Sequence, residues 1–118
     1  MAYEELEALR WAPFVRPNGA VIVNVQRVAP APVALGVAVY PDDPIGRLRD
    51  VFADTKIVEA NALALNAGNA RAANIVMLGA LAAGLAFDKE QWIQTITRRV
   101  PEKTLAINLK AFNAGWEV

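Results

Sequence analysis

Two periods of apolar and polar positions alternate along the chain. Residues 3–15, "YEELEALRWAPFV", place Leu6, Leu9 and Phe14 near helical spacing. Acids come early and Arg10 late, as the helix dipole favours, so a helix is predicted. "RPNG" makes a turn. Residues 20–25, "AVIVNV", form an almost continuous β-branched run. That is the pattern of a strand covered on both faces, as in a parallel sheet. Residues 29–41 cannot form a central strand, because Pro30 and Pro32 lack ladder donors. They read as an extended connector ending in a short edge strand at 37–39. "DDPIGRLRDVFA" predicts a helix entered through Asp43 and Pro44. Residues 55–60, "TKIVEA", predict a second strand.

Everything beyond is helical. Asn61 is placed to cap a short helix stopped by Gly68, and Asn69 to cap the next. Residues 68–87, "GNARAANIVMLGALAAGLAF", read as one helix buried on more than one face. Asn74, Leu78, Leu81 and Leu85 form a stripe suited to the sheet or core. Ala72, Val76, Gly79 and Ala83 form a small-residue stripe that lets another backbone approach closely. The uncharged stretch is shorter than the roughly 20 apolar residues of a membrane span. In "FDKEQW", Asp88 is a cap, Gln91 reaches back, and Phe87 staples to Trp92. The last helix starts at Pro101 and carries Leu105, Leu109, Phe112 and Trp116 as one apolar stripe.

This order is α/β, with two or three strands and a helix-rich C-terminal half. Typical sheets have about 4–6 strands, so two look incomplete, each with an open edge. The length of 118 residues suits one domain. The expectation is a single domain over 1–118, apparently truncated, or a piece completed by another chain.

Composition narrows the chemistry. Twelve basic and twelve acidic residues give a formal net charge of zero, which argues against nucleic-acid or acidic-lipid partners. There is no Cys and no His. The chain therefore offers no thiolate nucleophile, disulfide or iron–sulfur ligand, no usual zinc site and no imidazole base. At 55% hydrophobic, it exceeds what a small domain needs, so an apolar face buried against something else is expected. The acidic, amphipathic start is unlike a signal peptide, and a cytoplasmic location is expected.

Polar residues within apolar stretches are the candidate interface or structural positions. Asn24 interrupts the first strand near its carboxyl end, where open α/β sheets bind ligands. It either bonds the following turn or, with Gln26 and Arg27, faces a ligand or partner. Arg71 opposes the helix dipole in its first turn and calls for an anion, either Glu59 or another subunit. Asn74 is either a satisfied buried amide or faces a partner or ligand. Asn69, Gly79 and Asn108 complete the set, Asn108 as a packing amide. Asp42, Asp43, Asp50 and Asp54 match no metal loop. No catalytic residue and no metal ligand emerges.

Several stretches carry a resemblance: "LEALRW…PNGAVIVNVQRVAP", "YPDDPIGRL", "GNARAANIVMLGALA" and "VPEKTLAINLKAFNAG". Asn74, Gly79, Asn108, Phe112 and Gly115 lie at its more specific positions. The chain resembles the gamma-type subunit of 2-oxoacid:ferredoxin oxidoreductases, in particular the small subunit of the indolepyruvate enzyme. The resemblance implies the C-terminal portion of a Rossmann-like three-layer domain, without the glycine-rich turn and the "HG-x-x-QRGG"-like segment of family members. It implies oxidative decarboxylation of a 2-oxo acid to acyl-CoA with ferredoxin reduction. Thiamine diphosphate, iron–sulfur clusters and coenzyme A would be held by a larger partner subunit, with none bound by this chain. Ferredoxin would be met through the complex. A self-associating module (a homodimer) or a small-molecule binder is the alternative reading.

Overall fold

The computed structural model describes residues 1–118, which divide into two compact units, Met1–Ile57 and Val58–Val118.

The first unit is a small sheet with helices. Glu4, in extended conformation, caps α1 (Glu5–Trp11), its carboxylate accepting from the Glu7 N–H at 2.9 Å. A 3-10 turn at Ala12–Phe14 ends the helical segment. Strand β1 (Val21–Asn24) is buried at all four positions, as its β-branched run requires. It pairs with β2 (Thr55–Val58), and the Val21 N–H donates to the Asp54 carbonyl at 2.8 Å. Its other edge meets Ala2 in a parallel bridge, with Ala2 N–H donating to Ile22 at 2.8 Å. The Asn24 N–H donates back to the Ala2 carbonyl at 3.0 Å.

The third strand is thus this single bridge, not the expected edge strand at 37–39. Residues Ala31–Ala34 instead form a one-turn helix, α2, capped by Pro30 and with Pro32 in its first turn. Proline's fixed φ suits a first helical turn. The Val37 and Ala38 N–H groups both fold back onto the Pro32 carbonyl, so the segment coils. Helix α3 (Pro44–Val51) starts as expected, with the Asp43 carboxylate accepting from the Gly46 N–H at 2.9 Å. A Cβ at position 46 would collide with that carboxylate. Ala8, Val21, Val23, Leu48 and Phe52 form this unit's core.

The second unit is helical. Helix α4 (Ala60–Ala67) has Glu59 at its N-cap position, and no side chain caps it. Asn61 therefore lies inside the helix and is not its cap. Gly68 stops α4 at φ 117°, a conformation that favours glycine. Asn69 then caps a 3-10 turn, Ala70–Ala72, by accepting from the Arg71 N–H at 2.9 Å. Only after that turn does α5 (Ala73–Ala82) begin. The stretch 68–87 is accordingly not one helix. Left-handed Gly68 breaks it at one end, and at the other the chain tightens into i→i+3 bonds from Gly84 to Leu81 and Leu85 to Ala82.

Helix α6 (Lys89–Arg99) starts after Asp88, which supplies its carbonyl to the Gln91 N–H but no side-chain cap. Phe87 does meet Trp92, edge to face at 6.2 Å. Helix α7 (Glu102–Trp116) follows Pro101, and Leu105, Leu109, Phe112 and Trp116 all join the core around Ala82 and Ile96.

The close approach predicted for Gly79 is present inside this unit. A Cβ at Gly79 would land on the Phe112 carbonyl and lie 2.9 Å from the Trp116 nitrogen. A Cβ at Gly115 would land on the Val76 carbonyl. Helices α5 and α7 therefore touch backbone to backbone. The small-residue stripe thus takes its expected role, whereas the leucine stripe does not form the core. Val76, Met77, Gly79 and Ala80 are buried, whereas Asn74 and Leu85 are exposed and Leu81 only half-buried. Small side chains let the axes close up, which leaves most of the larger leucines at the rim. No helix is long and apolar enough to cross a membrane.

Candidate functional site

In the first unit, the polar groups gather where β1 ends. The Asn24 side chain is buried and donates to the Tyr3 carbonyl and to Gln26 Oε1, each at 3.1 Å. Glu5 is 3% exposed, although it is a carboxylate in the first turn of α1. Arg27 closes over it from the surface, Nε to Oε2 at 2.9 Å. A buried carboxylate needs such a partner, because desolvation otherwise disfavours its charge. The Arg27 guanidinium also lies 5.5 Å from the Tyr40 ring centroid.

Glu4 ties the cluster together. Its carboxylate accepts from the Glu7 N–H, from the Val28 N–H at 3.2 Å and from the Tyr40 hydroxyl. Burial pushes the Glu4 carboxyl up, but these hydrogen bonds outweigh it and hold the group below its usual value. Burial, the Glu4 bond and the two negative charges push Tyr40 up to about 12. The Glu5 hydrogen bond and charge raise Arg27. The donors and acceptors here are engaged with one another. The cluster fastens the segment 27–40 onto the start of α1, and neither carboxylate is presented as a base to a substrate.

The sequence singled out Asn24 and Arg27 but missed Glu4, Glu5 and Tyr40. Glu4 could have been found as a cap three residues before Glu7. Tyr40 carries no local signal, being 36 residues away in the chain.

The second unit brings together Asn69, Arg71 and Asn108. With Thr104 and Ile107 they line a shallow depression of about 240 Å³. Asn69 spends its oxygen on the Arg71 N–H, and Asn108 donates to its own helix at the Thr104 carbonyl, 2.8 Å away. Arg71 is exposed and does not pair with Glu59; the chain's ion pairs are Arg10–Glu7 and Arg27–Glu5. Asn74 is exposed outside this depression, so the buried-amide reading of it fails. Gly79 is inside the α5–α7 contact.

Neither place fits an iron–sulfur cluster or a thiamine diphosphate metal site. The chain has no Cys or His, and no three acidic side chains converge as ligands.

Comparison with known proteins places this fold. The family described as pyruvate ferredoxin/flavodoxin oxidoreductase matches residues 1–118. The indolepyruvate oxidoreductase subunit IorB of Thermococcus kodakarensis is 32% identical over 98% of this chain and 59% of its own length. That of Archaeoglobus fulgidus is 36% identical over 98% and 60%. The crystal structure of a keto/oxoacid ferredoxin oxidoreductase gamma subunit from Geobacter sulfurreducens superposes with a TM-score of 0.70. Its sequence identity is 23%, over 98% of this chain and 62% of the other, so it supports the fold alone. The chain thus spans about three-fifths of the length of these relatives. With its whole length inside the matched region, the chain belongs to the pyruvate ferredoxin/flavodoxin oxidoreductase family.

Proposed function

We propose that this chain is an accessory subunit, or part of one, of a 2-oxoacid:ferredoxin oxidoreductase of the indolepyruvate type. The complex would decarboxylate a 2-oxo acid oxidatively to an acyl-CoA and pass electrons to ferredoxin. The observation that carries the reading is similarity to IorB subunits across 98% of the chain.

The chain's own part is structural. Its polar cluster is spent on internal bonds, and it has no thiolate for a cluster. A larger subunit would hold thiamine diphosphate, the iron–sulfur clusters and coenzyme A, in the cytoplasm. This chain would pack against that subunit and be inactive alone.

The test is capture of the tagged chain from its native anaerobic extract. The bound fraction is assayed for viologen reduction that needs both a 2-oxo acid and coenzyme A. Co-purification of a large thiamine-dependent iron–sulfur protein with that activity is the expected result. A clean chain with no partner and no activity would overturn it, and a symmetric dimer would then favour the self-associating alternative.

A further inference from the structure

We infer that Asn18 is a site of spontaneous deamidation, held in check by the turn that carries it. The chemistry is the chain's own and depends on neither its family nor its partners.

Residues 16–19, "RPNG", lie between the 3-10 turn and β1. Pro17 stands second in this turn and Asn18 third, with φ 60°, and the Gly19 N–H donates to the Arg16 carbonyl at 3.0 Å. That is the arrangement of a type II turn, in which proline presets the second position and the third takes a positive φ. Asn18 is exposed, and its side chain makes no hydrogen bond within the chain. Its amide carbon is therefore free to swing onto the backbone nitrogen that follows. That nitrogen belongs to a glycine, so no Cβ stands in the way. Of the chain's eight asparagines, only Asn18 precedes a glycine.

The reaction needs only water. The Gly19 nitrogen loses its proton to hydroxide and attacks the Asn18 side-chain carbonyl carbon. A C–N bond forms there and the bond to Nδ2 breaks, so ammonia leaves and a cyclic imide remains. Water opens the imide at either carbonyl. One opening gives aspartate, and the other gives isoaspartate, in which the backbone runs through the former side chain. Either product adds a negative charge to a chain whose formal net charge is zero.

The Arg16–Gly19 hydrogen bond is the check. While it is made, the Gly19 N–H is turned to the Arg16 carbonyl and shielded from hydroxide, as bonded amides are. A surface turn opens at little cost, and the reaction proceeds through that opening. Isoaspartate has no ready place in the fold. Gly19 is buried, and a Cβ there would lie 2.8 Å from Val15 Cγ1 and 2.9 Å from the Arg16 carbonyl. The extra backbone methylene enters at this tight point, just before the Val21 N–H that bonds Asp54.

The test incubates the full chain in mildly alkaline buffer, folded and in urea. Peptide mapping by mass spectrometry, with enzymatic methyl labelling of isoaspartate, locates the product. In the folded chain Asn18 should convert at least roughly tenfold faster than any other asparagine, because each of the others lies in or caps a helix or strand and precedes a residue with a Cβ. Urea frees the Gly19 N–H and should accelerate the conversion. Pro17→Ala, at an exposed position, loosens the turn and should do the same. Asn18→Gly accepts the positive φ, so it should fold like the parent and lose both the isoaspartate and the more acidic species on ion exchange. Conversion at Asn18 no faster than at the other asparagines would overturn the inference. So would a rate unchanged by both urea and Pro17→Ala, because the turn would then hold nothing in check.

Discussion

A single tyrosine shows how far a side chain can act along this sequence. Tyr40 ends the coiled connector and donates its hydroxyl to Glu4, the cap of α1. Both groups respond to pH, with opposite signs. Glu4 is held below 4.5, its ordinary value, so the stability it contributes is present above that pH and lost as pH falls through its lowered value. Tyr40 is raised from 10.0 to about 12, so its contribution is present below pH 10.0 and lost as pH climbs through that window. Spectrophotometric titration of the tyrosines should show one ionising near 12, and Tyr40→Phe should remove that step. A Tyr40→Phe protein with the same high step would place the hydroxyl elsewhere. Arg27 acts on its neighbour in another way. Arg27→Ala leaves the buried Glu5 carboxylate without its ion-pair partner, so it should lower the unfolding temperature. Adding Glu5→Gln should recover part of the loss, because the amide brings no charge to bury. A double variant no better than Arg27→Ala would mean the pair contributes through packing alone.

At the level of elements, the α5–α7 crossing is set by two glycines facing each other's helix. Gly79→Ala gains helix propensity of about 0.8–1.0 kcal/mol in isolation. Here its Cβ meets the Phe112 carbonyl, a backbone atom that cannot swing away. Overpacking of this kind costs roughly 1–3 kcal/mol, so the variant should melt below the parent. Gly84→Ala is the control. Its Cβ would sit 3.6 Å from the Leu81 carbonyl, an ordinary contact. It should be neutral or stabilising by about 0.4–1 kcal/mol. Equal melting of the two variants would remove the close-approach account. The glycine contact was legible in the sequence because helical spacing fixes which residues share a face. Strand β1 and the α7 stripe were legible for the same reason of strict period. The edge strand at 37–39 and the continuous helix over 68–87 were misread where local geometry overrides composition. Pro30 and Pro32 start a turn of helix as readily as they end a strand, and a 3-10 turn at Ala70–Ala72 and tightened bonds after Ala82 confine α5 to only part of the apolar run. The Asn24–Arg27 site was half legible. Asn24, on β1, announces itself by interrupting an apolar run, whereas Glu5 looks like any exposed helical acid until the fold buries it.

For the whole molecule, neutrality and apolar surface together decide what kind of partner surface it offers. Basic and acidic residues balance at twelve each, so no long-range field of one sign steers a partner. Meanwhile Trp11, Phe14, Leu35 and Phe87 are all more than half exposed, which is expensive surface for a chain acting alone. The association with a larger subunit that is proposed above should therefore be driven by apolar burial. Salt screens exposed charges with a Debye length falling from about 10 Å at 0.1 M to 3 Å at 1 M. A charge-driven complex would lose association rate steeply over that range, whereas this one should change by less than about threefold. The measurement is the association rate of the tagged chain with the captured large subunit at both salt concentrations. Phe14→Ser and Leu35→Ser are compared alongside, since neither side chain is buried in a core. Salt-insensitive association slowed or weakened by at least one serine variant is the expected pattern. A steep salt dependence with both variants unchanged would assign the interface to charged side chains. The surplus of exposed apolar side chains would then have no part in assembly.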